Sequence, residues 1–221
     1  LDLKILGGIR AGVTTFLFPK ENVKEFELFK EEHNDKSIFE KYKFKPIAYS
    51  ALAGKKTFDV ISEIIFNETG KVDHDLAKKI TIEKQLYSST LLEQKPPLHK
   101  NLNTTLNQLK EKYSLCLATS SSKKNTEIFL KKSRTGNLFD FIITSEDVKF
   151  AKPHPEIYLN LINRINFSTN QNIVIEDSLN GITAAKKANL KCIGVIGTHT
   201  KDCLLKAGAY SVIERLESLC H

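Results

Sequence analysis

The chain predicts an α/β fold: a parallel, doubly wound core sheet with an α-helical domain inserted near its start. Three observations predict it. From about Tyr113 onward, short β-rich runs alternate with helical runs, the rhythm of strands joined by crossover helices. From about Glu21 to Gln94, apolar residues recur instead at helical spacing. Pro96-Pro97 divides the two regions, since consecutive prolines stiffen the chain and cannot continue a helix.

The elements follow in order. Val, Thr and Phe between Val13 and Phe18 suit a buried first strand. Val23, Phe26 and Phe29, then Phe58, Ile61 and Ile65, then Leu76 and Ile80 mark the helices of a separate bundle. Pro19 and Pro96-Pro97 bound this helical region, so residues 1–19 and 97–221 are expected to form the core and 20–96 the inserted helical domain. In the core, strands are expected at Ser114–Ala118, Phe141–Thr144, Asn172–Ile175, Cys192–Ile196 and Tyr210–Ile213. Helices are expected at Lys123–Lys132, Pro155–Arg164, Leu179–Ala188 and Lys201–Lys206. The intervals are long enough for right-handed crossovers.

Composition narrows the class. A chain of 221 residues that is 41% hydrophobic supports one sizeable domain, or a core with a smaller companion. Lys+Arg outnumber Asp+Glu by 33 to 26, a formal charge of +7, yet the lysines are spread without an Arg-rich stripe or interleaved aromatics. That pattern is a solvated surface and not a nucleic-acid face. Cys116, Cys192, Cys203 and Cys220 show no Cys-x-x-Cys spacing, which points to a reducing compartment. The apolar stretch from Ile5 to Phe18 is broken by Arg10 and glycines and is too short to cross a bilayer. A soluble cytoplasmic protein with no membrane partner is expected. The six histidines have no metal-ligand spacing. The chain opens on Leu1 and contains no methionine, which leaves the origin of residues 1–20 open.

Ligands of open parallel sheets bind at the carboxyl ends of the strands, and three short stretches fall there. In Leu117-Ala118-Thr119-Ser120-Ser121, free amides and a hydroxyl stand between a strand and a helix, where they hold phosphate or simply cap the helix. In Ala151-Lys152-Pro153-His154-Pro155-Glu156-Ile157-Tyr158, Pro153 fixes the backbone after Lys152 and Pro155 suits a helix start. Lys152 is then an ammonium on a held loop, or one more surface lysine. In Ile173-Val174-Ile175-Glu176-Asp177-Ser178 an acidic pair ends a buried strand. Mg²⁺ takes one or two such carboxylates plus phosphate, while Asp177 or Ser178 also suits a helix N-cap; both readings can hold together.

In this order and spacing, over about Leu98 to Ile213, the three stretches resemble motifs two, three and four of the haloacid dehalogenase-like (HAD) phosphohydrolases, in particular the phosphoglucomutase-like branch with its Rossmann-type core and helical cap. Asn180-Gly181-Ile182 with Ala184-Ala185 extends the likeness, the glycine giving close approach of helix to sheet. The resemblance implies that Thr119 is the phosphate-binding hydroxyl with Ser120 and Ser121 beside it. It implies that Lys152 neutralises charge between nucleophile and phosphoryl, and that Glu176 and Asp177 bind Mg²⁺. It also implies a substrate-specificity turn at Gly54-Lys55-Lys56, where Lys55 or Lys56 meets a substrate anion or stays solvated. The activity implied is a Mg²⁺-dependent phosphatase, or phosphoglucomutase-type phosphoryl transfer, on a small phosphorylated metabolite.

One motif departs from the pattern. The family opens with a strand ending in Asp-x-Asp-Gly, whose first aspartate is the nucleophile, and whose place here is near Thr14–Phe18 or, second, Asp2–Leu6. Between Asp2 and Glu21 there is no carboxylate. The aspartyl-phosphate step therefore has no group to name, and the Mg²⁺ site lacks one of its oxygens. Glu176 and Asp177 are left facing Lys152, with which they can pair as a closed charged cluster. The alternative function is a catalytically silent relative that binds phosphate, a phosphometabolite or a protein partner.

Overall fold

The computed structural model describes residues 2–8, 11–17, 42, 55–96, 98, 100–165, 171–197 and 199–220. Pro19, Val23, Phe26, Phe29, Gly54 and Pro97 lie outside these.

The chain opens with strands β1 (Asp2–Gly8) and β2 (Ala11–Leu17). They pair antiparallel, with Gly8 opposite Ala11 and Asp2 opposite Leu17. Helices α1 (Thr57–Thr69), α2 (His74–Gln94) and α3 (Leu102–Lys112) follow. The alternating half then runs β3 (Cys116–Ala118), α4 (Lys123–Ser133), β4 (Phe141–Ile143), α5 (Glu156–Ile165), β5 (Ile173–Glu176), α6 (Leu179–Lys187), β6 (Lys191–Val195), α7 (Lys201–Ala207) and β7 (Ser211–Ile213). β3 pairs parallel with β4, and β6 lies between β5 and β7, parallel to both. The β1–β2 hairpin packs against both β3 and β5.

The expected first strand is present as β2, but it departs from the all-parallel pattern. The link over residues 9–10 is far too short for the crossover that parallel neighbours need, so the two strands return on each other as a hairpin. In the rest of the core every strand is joined to the next through a helix, and the pairings within β3–β4 and within β5–β6–β7 are all parallel. β3 is buried along its whole length, as strands covered on both faces must be.

Local chemistry sets the helix ends. Asp73 caps α2 by accepting from the Leu76 amide at 2.8 Å, and Pro96 stops it, because the residue before a proline is pushed out of the helical region. α1 ends where Gly70 takes a left-handed φ of 69° and its amide returns to the Phe66 carbonyl.

Apolar side chains sort into two clusters. Val60, Ile61, Ile64 and Ile65 of α1 pack with Ala77 and Ile80 of α2. A larger cluster takes in β3 to β6 and the helices around them, and also Leu92 near the end of α2. α2 is roughly 30 Å long at 1.5 Å per residue and so joins both. Ser89 on α2 donates to Asn125 Oδ1 on α4 at 2.6 Å in a buried contact, and Glu93 pairs with Lys132 at 3.0 Å. Among the described residues no helix is long and apolar enough to cross a membrane.

Candidate phosphate site

β3, β4 and β5 bring the three sequence stretches to one end of the core. Thr119 follows β3 and is fully buried. Its amide donates to the Ile143 carbonyl at 2.8 Å, extending the β3–β4 ladder by one bond. Its hydroxyl oxygen accepts from the Ser121 amide at 2.9 Å, which leaves the hydroxyl proton to donate outward. The helix-cap role belongs to Ser122, whose Oγ accepts from the Asn125 amide at 3.3 Å. Ser120 and Ser121 are half-buried, and Ser145 N donates to Ser121 O at 3.0 Å, tying the loops after β3 and β4 together.

The loop from β4 to Lys152 is clamped along its length. Thr144 and Asp147 form a reciprocal cap in which Asp147 Oδ2 accepts from both the amide and the hydroxyl of Thr144, each at 2.8 Å. Burial by itself raises the Asp147 pKa, but these two donors, with Arg164 and Lys123 nearby, outweigh it and hold the carboxyl below the ordinary range. Glu156, in the first turn of α5, accepts from the amides of Lys149 and Phe150 at 2.8 and 2.7 Å, and those bonds lower its pKa. Lys56 reaches over from the start of α1 and donates to the Val148 carbonyl at 2.5 Å.

Lys152 at the end of this loop is not a surface lysine. It is 3% exposed, with Nζ 2.8 Å from Glu176 Oε1 and 3.4 Å from the carbonyl of Ala118, the residue before Thr119. The direct pairing of Lys152 with the acidic stretch is therefore present, and it is made by Glu176. The remaining oxygen, Oε2, accepts from the amides of Asp177 and Ser178, both at 3.0 Å, and from Ser178 Oγ at 2.9 Å. Ser178 also N-caps α6, its Oγ accepting from Gly181 N at 3.0 Å, so the cap falls to Ser178 and not to Asp177. Asp177 is fully buried directly after β5.

Of two further contributors, Tyr158 had no role assigned from the sequence and Gly181 had a different one. Tyr158, fully buried on α5, donates its hydroxyl to Glu176 Oε1 at 3.0 Å. The signal was a tyrosine among Ile157, Leu161 and Ile162, since a buried phenol needs a partner for its polar tip. Gly181 makes room for a side chain more than for a helix: a Cβ built there would overlap the Glu176 carboxylate. Cys192 lies close enough for Glu176 to act on it, and burial first, then that charge, pushes its thiol pKa well up.

As for Mg²⁺, no three His, Cys, Asp or Glu side chains gather as a metal cluster among the described residues. A Mg²⁺ that comes with phosphate oxygens and waters needs only one or two carboxylates. Asp177, a buried carboxylate directly after β5, has the hard-oxygen chemistry for that limited demand. Glu176 fits it poorly, because five donors already occupy its two oxygens.

A cleft of about 420 Å³ opens beside Lys152, between Lys55, Asp59 and Glu63 on one side and Phe150, Pro153 and His154 on the other. Lys55 pairs with Glu63 at 2.8 Å. His154 is half-exposed and packs against Phe150, with ring centroids 4.8 Å apart and the planes tilted by 43°.

The chain is similar to known proteins over much of its length. Residues 29–195 match the family model described as haloacid dehalogenase-like hydrolase. A phosphorylated carbohydrates phosphatase from Thermotoga maritima is 32% identical over 144 residues, covering 64% of this chain and 65% of that protein. A validoxylamine A 7'-phosphate phosphatase from Streptomyces hygroscopicus subsp. limoneus is 36% identical over 103 residues, covering 46% of this chain and 48% of that one. The chain thus spans between about half and two thirds of these relatives' lengths. The fold matches that of a beta-phosphoglucomutase from Clostridium difficile at a TM-score of 0.72 and 23% identity, covering 87% of this chain and 86% of that one.

Proposed function

The chain belongs to the haloacid dehalogenase-like hydrolases, and from that premise we propose that it is a phosphatase or phosphoglucomutase-type enzyme acting on a small phosphorylated metabolite. The observation that carries this reading is the Lys152 ammonium, buried at the end of β3 and held 2.8 Å from Glu176. A desolvated cation fixed in place before substrate arrives is the main resource of phosphoryl transfer, where catalysis is positioning and charge neutralisation.

In this reading the Thr119 hydroxyl donates to a phosphate oxygen, Ser120 and the Ser121 side chain bind the same anion while the Ser121 amide holds the Thr119 oxygen, and Lys152 neutralises it. Asp177 is the Mg²⁺ ligand, and Glu176 serves the metal only indirectly, by holding Lys152. Bound Mg²⁺ supplies Lewis-acid neutralisation of phosphoryl oxygens. Residues 20–96 act as a cap hinged at Pro19 and Pro96-Pro97, with the cleft between Lys55 and Phe150 as the way in. The names of the two phosphatase relatives support a phosphorylated organic substrate. The lysines serve solubility and bind no nucleic acid. Cys116, Cys192, Cys203 and Cys220 are free thiols, which supports a reducing, cytoplasmic setting.

One observation favours a second reading, a silent relative that binds phosphate without turnover. Both strands of the β1–β2 hairpin pack against β3 and β5; β2 from Ala11 to Leu17 includes no carboxylate, and β1 holds only Asp2, without a partner aspartate. The experiment is Mg²⁺-dependent phosphate release from a panel of phosphorylated metabolites, with Lys152→Ala as control. Turnover that disappears in the control supports the enzyme. No turnover, with phosphate still raising the thermal midpoint, supports the silent binder. Neither turnover nor phosphate protection overturns both.

A further inference from the structure

Glu176 reaches Lys152 only because of what surrounds its carboxylate. Two amides and a hydroxyl hold Oε2, which fixes the plane of the group. Gly181 leaves the volume that the carboxylate fills. Oε1 is then shared between the Lys152 ammonium at 2.8 Å and the Tyr158 hydroxyl at 3.0 Å. The Tyr158 ring also stands 5.1 Å from Lys152 Nζ, within cation–π range. Burial, and after it the Glu176 charge, keep the phenol protonated and therefore a donor.

We infer that Tyr158 is a positioning residue for phosphate binding, acting through Glu176 to leave the Lys152 ammonium oriented and incompletely neutralised. The inference rests on the phosphate-site reading above. An ammonium has three N–H donors; among the described residues one goes to Glu176 Oε1 and one, at longer range, to the Ala118 carbonyl, which leaves a third for an incoming phosphate oxygen. The Tyr158 O–H takes part of the charge of Oε1. Without it, that oxygen faces Lys152 alone and draws the ammonium more strongly, and less of the lysine's charge reaches the phosphate. Phenylalanine at 158 would keep the ring, the packing and the cation–π contact, and lose only this sharing.

The test is calorimetric titration of the full chain with inorganic phosphate, with a chelator present so that no divalent metal contributes. Wild type, Lys152→Ala, Tyr158→Phe, Glu176→Gln and the Tyr158→Phe/Glu176→Gln double variant are compared, with thermal midpoints to show that each is folded. Tyr158→Phe should bind phosphate roughly three- to tenfold more weakly, the range of one hydrogen bond's net contribution. In the Glu176→Gln background the same change should alter affinity less than about twofold, because its route through the carboxylate is gone. Gly181→Ala, which displaces that carboxylate from the other side, should weaken binding in the same sense and serves if Tyr158→Phe does not fold. Wild-type affinity in Tyr158→Phe, or an equal loss in both backgrounds, overturns the inference and leaves the site reading intact. Wild type that binds no phosphate, or binds it as Lys152→Ala does, overturns the site reading itself.

Discussion

Lys152 meets Glu176 and Lys55 meets Glu63 at the same distance, 2.8 Å. The first pair has side chains 1% and 0% exposed; the second, 31% and 57%. Glu176 is also held by four donors besides the lysine, whereas the Lys55–Glu63 contact sits at the rim of an open cleft. Distance alone therefore says little about what an ion pair does. The buried pair is a fixed part of the core whose members cannot be separated cheaply, because each was taken out of water to be there. The exposed pair exchanges one set of hydrogen bonds for another with solvent at almost no cost.

The largest effect expected from this contrast is at Glu176. Glu176→Ala strands Lys152 as a buried charge without its counter-ion and should destabilise the fold by about 3–5 kcal/mol, read from urea unfolding. Lys152→Ala should cost clearly less, because Glu176 keeps Tyr158, Ser178 and two amides as donors. Equal costs for the two variants would mean that the surrounding donors contribute nothing and that the pair stands alone after all.

Asp147 lies between the extremes, 33% exposed, with Thr144 as a close partner and Arg164 3.8 Å away. Its folded pKa is lowered even though burial pushes the other way. A lowered folded value means that its stabilisation is fully present above the unfolded aspartate pKa of about 3.9. It is lost as pH falls below that and through the folded value. Asp147→Asn should thus cost less than about 1 kcal/mol at pH 7, after allowance for solvent screening. The gap between variant and wild type should narrow by pH 3. A gap that is the same at both pH values would place the effect of Asp147 in packing and not in its charge.

The same divide between local and shared chemistry explains what the sequence made legible. The strands and helices of the alternating half were readable to within a residue or two, because β-branched runs, cap residues such as Ser178 and the Pro153 and Pro155 punctuation are all local signals. The convergence of Thr119, Lys152 and Glu176 was readable too, since parallel strands bring their carboxyl ends together. The β1–β2 hairpin was not, because two apolar runs suit a parallel or an antiparallel partner equally and only the short link between them decides. The division of labour at Glu176-Asp177 was also hidden. Nothing in two adjacent acids says that one turns inward to a lysine, a tyrosine and the space above a glycine. That outcome depends on Tyr158 and Gly181, residues on two helices that meet the carboxylate only after folding.

The smallest effect is expected at Lys55, and it tests the comparison most directly because the distance is the same. Lys55→Ala removes the Glu63 contact from a site where both partners regain water. The stability change should stay within about 0.5 kcal/mol and vanish in 1 M salt, where the screening length falls to about 3 Å. Side-chain entropy released by the freed glutamate works in the same direction. A cost above about 1 kcal/mol that persists in high salt would show that the exposed pair carries energy of its own. The 2.8 Å distance would then be the informative quantity, and the burial around Lys152 would no longer account for the difference between the two pairs.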